Sequence, residues 1–173
     1  MRLTPDNEEE TKLVCADLSE RARLLAKGRH YEDFVVGDAF IHHWGRTIFE
    51  GDNILFTTLT LHYNPSYFNV VYARQNGHPR LVVAPLLAFN VVFGLSVEDL
   101  SEAGGPFLGV DALNFNRFVY VGDTLTASSV VVEKRLSSSR SDFGIVTWHT
   151  SGRNQDDEVV VDFKRTNLVR RRP

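Results

Sequence analysis

Apolar residues in the N-terminal part of the chain recur at helical spacing among charged residues. Residues 9–27, EETKLVCADLSERARLLAK, place four leucines between acidic and basic side chains and end at Gly28, a residue type that commonly terminates helices. The pattern therefore predicts an N-terminal helical extension, residues 1–30, followed by one domain, residues 31–173.

The next segment combines a strand-like run with two short helical patterns. FIHHWGRTI is typical of a strand, and Gly45 within it can accommodate a bulge. Asp52 is a suitable N-cap for a helix through NILFTTLTL, and SYFNVVYARQNG predicts a second helix that ends at Gly77. Asn64-Pro65 separates the two helices, because the residue before a proline avoids helical geometry.

Residues 81–95, LVVAPLLAFNVVFGL, are apolar on nearly every side, whereas the remaining C-terminal half is rich in β-branched and aromatic residues. The apolar run is too short to cross a bilayer, which takes about 20 residues, and it predicts a buried central helix near residues 81–100. The later segments predict an antiparallel meander. A helix apolar on most faces must be covered nearly all round. The predicted fold class is therefore α+β: a hotdog, with a curled antiparallel sheet around a central apolar helix. Its exposed sheet edges favour a double-hotdog dimer.

Composition narrows the class of protein without naming a reaction. The chain has 173 residues, 43% of them hydrophobic and 24% charged, and a net charge of −3. These values are ordinary for a globular protein and give no electrostatic reason to expect a nucleic-acid or membrane partner. The single cysteine, Cys15, excludes an intrachain disulfide and suits a reducing cytosol. The acidic N-terminus lacks the apolar stretch of a secretory signal, so we expect a cytoplasmic protein.

Two adjacent histidines, His42 and His43, raise the question of a metal site. Neighbouring residues on a strand point to opposite faces, so the pair cannot easily share one ion. The sequence contains no further ligand cluster with zinc-type spacing. We therefore predict no metal site and no cofactor, while one of the two histidines can still face a ligand pocket.

Several pieces of the sequence, taken in order, carry a family resemblance: YEDFVVGD, GRTIFEGDN, FTTLT, the Asn-Pro loop, GLSVEDLS, YVGDTLTASS, GIVT and NQDDEVVVDFKRT. With them, the chain from about Tyr31 to Arg170 resembles the MaoC-like hotdog dehydratases. It is most similar to the branch that contains mesaconyl-CoA hydratase and β-methylmalyl-CoA dehydratase. The resemblance implies a homodimeric double hotdog whose ligand is an acyl thioester of coenzyme A or of a carrier protein. It also implies a hydro-lyase reaction, the reversible addition of water across an α,β-unsaturated thioester.

The family mechanism implied by the resemblance uses an aspartate and a histidine, spaced D-x-N-P-x-H, to activate one water. Here HYNPSY places His62 at the aspartate position and Tyr67 at the histidine position, with Asn64 and Pro65 retained. Imidazole titrates near neutrality and accepts a proton, whereas a tyrosine hydroxyl is a fair donor. His62 and Tyr67 are therefore the candidate catalytic pair, unless both only line the pocket wall. Asn64 is expected to orient the loop through Asx-type hydrogen bonds and to contribute to substrate binding.

Two further pairs are candidate substrate-binding residues. The family polarises the thioester carbonyl with a backbone N–H at the start of the central helix, and Ala84 or Pro85 occupies that position here. Proline has no N–H, and losing one such donor typically costs about 100- to 1000-fold in rate. Ser139 and Arg140 match a connection that in similar hydratases lies near the nucleotide end of coenzyme A. A guanidinium suits phosphate, although an ordinary solvated turn explains the same residues.

Three functions remain open on the sequence alone. The first is an acyl-thioester hydratase or dehydratase with a non-standard acid/base pair, which the frequency of that reaction in the family favours. The second is a repurposed hotdog enzyme that isomerises, eliminates from or cyclises a polyketide-type or other acyl intermediate. The third is a non-catalytic ligand-binding hotdog. Because His62 and Tyr67 remain chemically capable groups, a catalyst is favoured over a binding protein.

Overall fold

The computed structural model describes residue 22 and residues 28–173. The predicted helix of residues 9–27, apart from Ala22, and Cys15 within it lie outside the described residues. The described part contains two 3₁₀ helices, four α-helices and six strands. The 3₁₀ helices are Tyr31–Asp33 and Pro65–Tyr67; the α-helices are α1 (Glu50–Leu59), α2 (Val70–Gln75), α3 (Pro85–Leu95) and α4 (Val97–Leu100); the strands are β1 (Ala39–Ile41), β2 (Arg46–Thr47), β3 (Phe107–Phe115), β4 (Thr124–Leu136), β5 (Phe143–Arg153) and β6 (Val159–Arg170).

The strands form an antiparallel sheet in the order β1-β4-β5-β6-β3, and the two-residue β2 also pairs with β4. Helix α3 packs against β4, β5 and β6, and Val92, Leu125 and Phe163 are among the fully buried side chains of that core. A second apolar cluster around Phe34 and Trp148 lies towards the other end of the strands. The predicted α+β class, with an antiparallel sheet packed on a central helix, is confirmed.

The central helix is shorter than the predicted 81–100. Residues before Pro85 are extended, because Val82 donates its N–H to the carbonyl of Ser66 at 3.1 Å and Val83 donates to that of Val119 at 2.8 Å. The helix then begins at Pro85, a residue suited to a first helical position, where no N–H is needed. Its C-terminal part is a separate helix, α4. The prediction was right about the element and wrong about its start and its continuity.

One face of α3 remains open in the single chain. Ala88 and Val92 are buried against the sheet, whereas Leu86, Asn90 and Gly94, each four residues apart, are exposed. The sheet of one protomer thus covers the helix on one side, not all round as its composition led us to expect. None of the described helices is long and apolar enough to cross a membrane.

The N-terminal elements depart from the sequence prediction in two details. Helix α1 begins at Glu50, so Asp52 lies within its first turn instead of at the N-cap. Asp52 still caps the helix, because its Oδ2 accepts the N–H of Phe49 at 2.9 Å. The strand-like FIHHWGRTI is interrupted at residues 42–45, between β1 and β2. Helix α2 does end just before Gly77, whose φ is 84°, as predicted.

The contact of α3 with β5 leaves no room for a side chain at Gly152, where an added Cβ would lie 2.4 Å from Cγ2 of Val92. Gly152→Ala should therefore lower the free energy of unfolding by about 1–3 kcal/mol. Val92→Ala removes the opposing methyl groups, so the double variant should lose less stability than the sum of the single ones. Urea unfolding measures the free energy of unfolding of the two single variants and of the double variant.

Gly109→Ala on β3 is the control for this prediction, because an added Cβ there meets nothing within 4 Å. Strictly additive losses in the double variant would show that the two residues do not compete for space.

Candidate active site

The Asn-Pro loop is shaped by backbone and side-chain hydrogen bonds that fold it back on the end of α1. Leu61 adopts a left-handed φ of 56°, and His62 donates its N–H to the carbonyl of Thr57 at 3.0 Å. The Oδ1 of Asn64 accepts the N–H of Ser66 at 3.0 Å, which is the Asx-type bond expected from the sequence. The loop therefore reverses direction within a few residues.

This reversal brings the rings of His62 and Tyr67 into contact. Their centroids lie 5.2 Å apart at an interplanar angle of 74°. Residues five apart on a continuous helix would lie about 140° from each other, so the contact depends on the loop. Tyr67 is buried against Val82 and Ala84, whereas His62 is half-buried. The two side chains named as the candidate catalytic pair from the sequence are thus neighbours.

Asn53 of α1 holds this loop against the segment that precedes α3. It is fully buried, and its Nδ2 donates to the carbonyls of Tyr67 at 2.8 Å and Val82 at 2.9 Å. Its Oδ1 accepts the N–H of Ala84 at 2.9 Å. Sequence reasoning missed this residue, and the available signal was an amide inside the apolar run NILF, where a buried polar group needs partners.

Burial sets the protonation of Tyr67. Removal from water raises the pKa of its hydroxyl above the ordinary value of about 10, and a side-chain hydrogen bond with Asn64 opposes that shift. The phenol therefore stays protonated at neutral pH. In chemical terms Tyr67 is a hydrogen-bond and proton donor, and His62 is the group beside it that can accept a proton.

The start of α3 offers neither of the two expected carbonyl-polarising groups. Pro85 has no N–H, and the N–H of Ala84 already donates to Asn53. The next donor is Leu86, at the second helical position, where a backbone N–H has no acceptor within its own helix. Two of the predicted substrate-binding residues, Ala84 and Pro85, therefore border the candidate pair without a free donor of their own.

Two apolar spaces adjoin the N-terminal part of α3. A groove of about 240 Å³ runs between α1 and α3; Phe56 and Leu87 line it and also pack against the cluster that holds Tyr67. Its far end carries Arg46 and Asp52, paired at 2.9 Å. A cavity of about 190 Å³ lies on the other side, where Pro85 contributes to its wall. Neither His62 nor Tyr67 lines either space, so the groove is linked to Tyr67 only through Phe56 and Leu87.

Ser139 and Arg140 lie in the turn between β4 and β5, away from this region. Arg140 sits over the ring of Phe143 at 4.1 Å, and Arg170 pairs with Phe143 across the strands. Val160 of β6 lines the cavity near Pro85. The ten residue steps from Val160 to Arg170 span about 33 Å. The structure brings together His62, Tyr67 and the start of α3, and it places Ser139 and Arg140 at the other end of the strands.

The adjacent histidines anchor α4. His42 is buried, with Nδ1 2.7 Å from Oδ2 of Asp99 and Nε2 2.9 Å from Oγ of Ser129. His43 is exposed and lies 3.7 Å from Glu98. The two rings thus have different environments, one buried and one exposed, as expected for neighbouring residues that point to opposite faces. Within the described residues there is no group of three or more His, Cys, Asp or Glu that could hold a metal ion.

Replacing Asn53 should lower the stability of the fold, because its amide joins the Asn-Pro loop to the segment before α3. Asn53→Ala leaves three buried backbone groups without partners, so we expect it to lower the free energy of unfolding by about 3 kcal/mol or more. Asn53→Asp should be at least as destabilising, because a carboxylate oxygen would face two carbonyl oxygens. Urea unfolding measures both, with the exposed Asn76→Ala as control. Equal stability of all variants would contradict the role given to Asn53.

Comparison with known proteins agrees with this architecture. The family model of mesaconyl-CoA hydratase matches residues 8–173. The mesaconyl-CoA hydratase of Haloarcula hispanica is 38% identical over 156 residues, which are 90% of this chain and 44% of that protein. The chain thus spans less than half the length of this curated relative.

Solved structures show the same fold. A Chloroflexus aurantiacus protein described as a MaoC domain protein dehydratase superposes with a TM-score of 0.80 at 34% identity, over 88% of this chain and 43% of that one. A Mycobacterium tuberculosis protein described as having a double hotdog fold superposes with a TM-score of 0.69 at 24% identity, over 84% of this chain and 45% of that one. The hotdog fold is therefore confirmed, and by the match of the family model the chain belongs to the mesaconyl-CoA hydratase family.

Proposed function

We propose that this chain is a hydratase or dehydratase unit that adds water reversibly across the double bond of an α,β-unsaturated coenzyme A thioester. The observation that carries the proposal is the contact of the His62 and Tyr67 rings, 5.2 Å apart, beside the start of the central helix. The proposal is supported by the Haloarcula hispanica relative, which is named a mesaconyl-CoA hydratase. A coenzyme A ester is accordingly preferred to a carrier-protein ester.

In the proposed mechanism His62 is the general base and Tyr67 is the general acid. His62 accepts a proton from water as the water oxygen bonds to the β-carbon of the thioester. Tyr67, kept protonated by burial, holds the thioester carbonyl and donates the proton that reaches the α-carbon. Proton return from His62 to Tyr67 resets the pair, so water is added with no net change in the protein. In the reverse direction the same groups remove water.

The negative charge that develops on the carbonyl oxygen needs a second donor. We assign this role to the N–H of Leu86, because Pro85 has none and the N–H of Ala84 is held by Asn53. Leu86 belongs to the first turn of α3, where the helix dipole favours negative charge. The acyl group then occupies the groove between α1 and α3, whose lining residues Phe56 and Leu87 also pack against the cluster that contains Tyr67.

Loss of either ring should reduce turnover. His62→Ala is expected to lower kcat for hydration of mesaconyl-CoA about 100- to 10,000-fold, the usual contribution of a positioned base. Tyr67→Phe should lower it while keeping the ring packed. Loss of the enoyl thioester absorbance, with a product heavier by one water, measures the rate. Tyr63→Phe, an exposed neighbour on the same loop, is the matched control.

Two other results would change the assignment. Wild-type rates in both His62 and Tyr67 variants would mean that the pair only lines the pocket. Turnover of an acyl thioester without a gain or loss of water would favour the repurposed-enzyme alternative, and binding without turnover would favour a non-catalytic hotdog.

The alkaline limit of activity should lie above pH 10. Tyr67 acts in its protonated form, and because burial raises its pKa, that form persists beyond the range of an exposed tyrosine. A pH profile of kcat/KM, measured over the range in which the fold is intact, tests this. An alkaline fall well below pH 10 that persists in Tyr67→Phe would show that another group sets the limit.

We further infer that two copies pair along β3. This strand bonds to β6 alone among the described strands, and Phe107, Leu108 and Phe115 on it are exposed. The open face of α3 at Leu86 and Asn90 would be covered in such a pair. An apolar, unpaired edge favours association.

Light scattering should therefore give twice the 19.6 kDa chain mass. Leu108→Lys on the edge is expected to shift the protein towards monomer, because a charged lysine opposes edge pairing. Leu136→Lys, at an exposed site on the internal strand β4, is the control. A wild-type monomer throughout the micromolar range would contradict the dimer.

A further inference from the structure

Arg165, on β6, is a cation buried among neutral partners. The residue is 0% exposed. Its Nε donates to Oδ1 of Asn167 at 3.0 Å, its Nη1 donates to Oγ of Ser96 at 2.9 Å, and its Nη2 donates to the hydroxyl of Ser101. No carboxylate of residues 28–173 forms an ion pair with it. A buried charge without a counter-charge is costly, and such groups are usually paired.

The surroundings of this guanidinium are aromatic. It lies 4.3 Å from the centroid of the Phe93 ring and 5.7 Å from that of Trp148. Burial lowers the pKa of Arg165 to about 10, so the group still carries its charge at neutral pH. The fold therefore maintains a positive charge in a weakly polarisable interior, where an anion would be attracted strongly.

The neighbouring indole supplies a second unfilled donor. Trp148 pairs directly with Arg165 across β5 and β6, and it is fully buried. Its Nε1 is the one buried side-chain nitrogen or oxygen without a hydrogen-bond partner among the described residues. A guanidinium has five N–H donors, and the three bonds named above leave two of them. Arg165 and Trp148 therefore both have N–H donors for which the described part of the chain supplies no acceptor.

The loop between α4 and β3 covers the guanidinium. Ser101 begins this loop and is half-buried, and its hydroxyl covers one edge of the guanidinium. Gly104 and Gly105 follow with φ values of 86° and 146°, conformations that glycine adopts without strain. A ligand oxygen that displaced the Ser101 hydroxyl would meet the guanidinium without disturbing the apolar core around α3.

We propose that Arg165 and the Nε1 of Trp148 form a recognition site for a small carboxylate. A carboxylate accepts two parallel N–H bonds from a guanidinium, and its second oxygen has lone pairs left for the indole. The ligand is a free small carboxylate, because a short acyl group on a thioester could not reach both sites. Arg165 packs on Phe93 near the end of α3, whereas Tyr67 packs on Ala84 before its start, and the nine helical steps between them span about 14 Å.

Thermal unfolding with free mesaconate or acetate, at ionic strength matched with sodium chloride, tests the site. The wild-type Tm should rise by about 3–6 °C at ten times the dissociation constant. Arg165→Met should abolish the rise. Trp148→Phe keeps the cation and the ring stacking, so it should weaken the rise without removing it, and it serves if Arg165→Met does not fold. Equal rises in wild type and variants, or no rise with either free acid, would overturn the proposal.

Discussion

The architecture of the candidate site depends on one buried amide. Asn53 offers two N–H groups and one carbonyl oxygen, and its three hydrogen-bond partners lie on two separate segments: the Asn-Pro loop and the extended residues before α3. A side chain with only donors or only acceptors could not satisfy this set, and an apolar one would leave all three groups unpaired in a dry interior. The position of Tyr67 relative to the start of α3 is therefore fixed by hydrogen bonding more than by loop length.

The sequence predicted the elements whose signal is periodic. The apolar run of α3 and the β-branched strands that follow can be recognised in the sequence, because burial and pleating impose a pattern on every residue. The start of α3 at Pro85 was missed because Leu81–Ala84 are as apolar as the helix, and only their partners show them to be extended. The start of α1 was placed too late, at Asp52, since a capping carboxylate acts equally well from within the first turn.

The site was predictable only in part. His62 and Tyr67 were found through their place beside an Asn-Pro pair, and the structure shows them in contact. Asn53 bonds to residues 14, 29 and 31 positions away in the sequence, so no local pattern could indicate its partners. The same holds for Arg165, which the sequence analysis did not single out and whose partners Ser96 and Ser101 lie 69 and 64 positions away in the sequence.

The segment before α3 holds a candidate pair that carries no carboxylate. By the family resemblance, His62 stands at the aspartate position and Tyr67 at the histidine position. Tyr67 is packed against Val82 and Ala84, and burial keeps its phenol protonated. In the proposed mechanism, a pair without a carboxylate stabilises a developing enolate less through its own charge and more through donated hydrogen bonds. The proposed chemistry then depends on two donors, the Tyr67 hydroxyl and the N–H of Leu86, and both lie beside the segment whose geometry Asn53 holds.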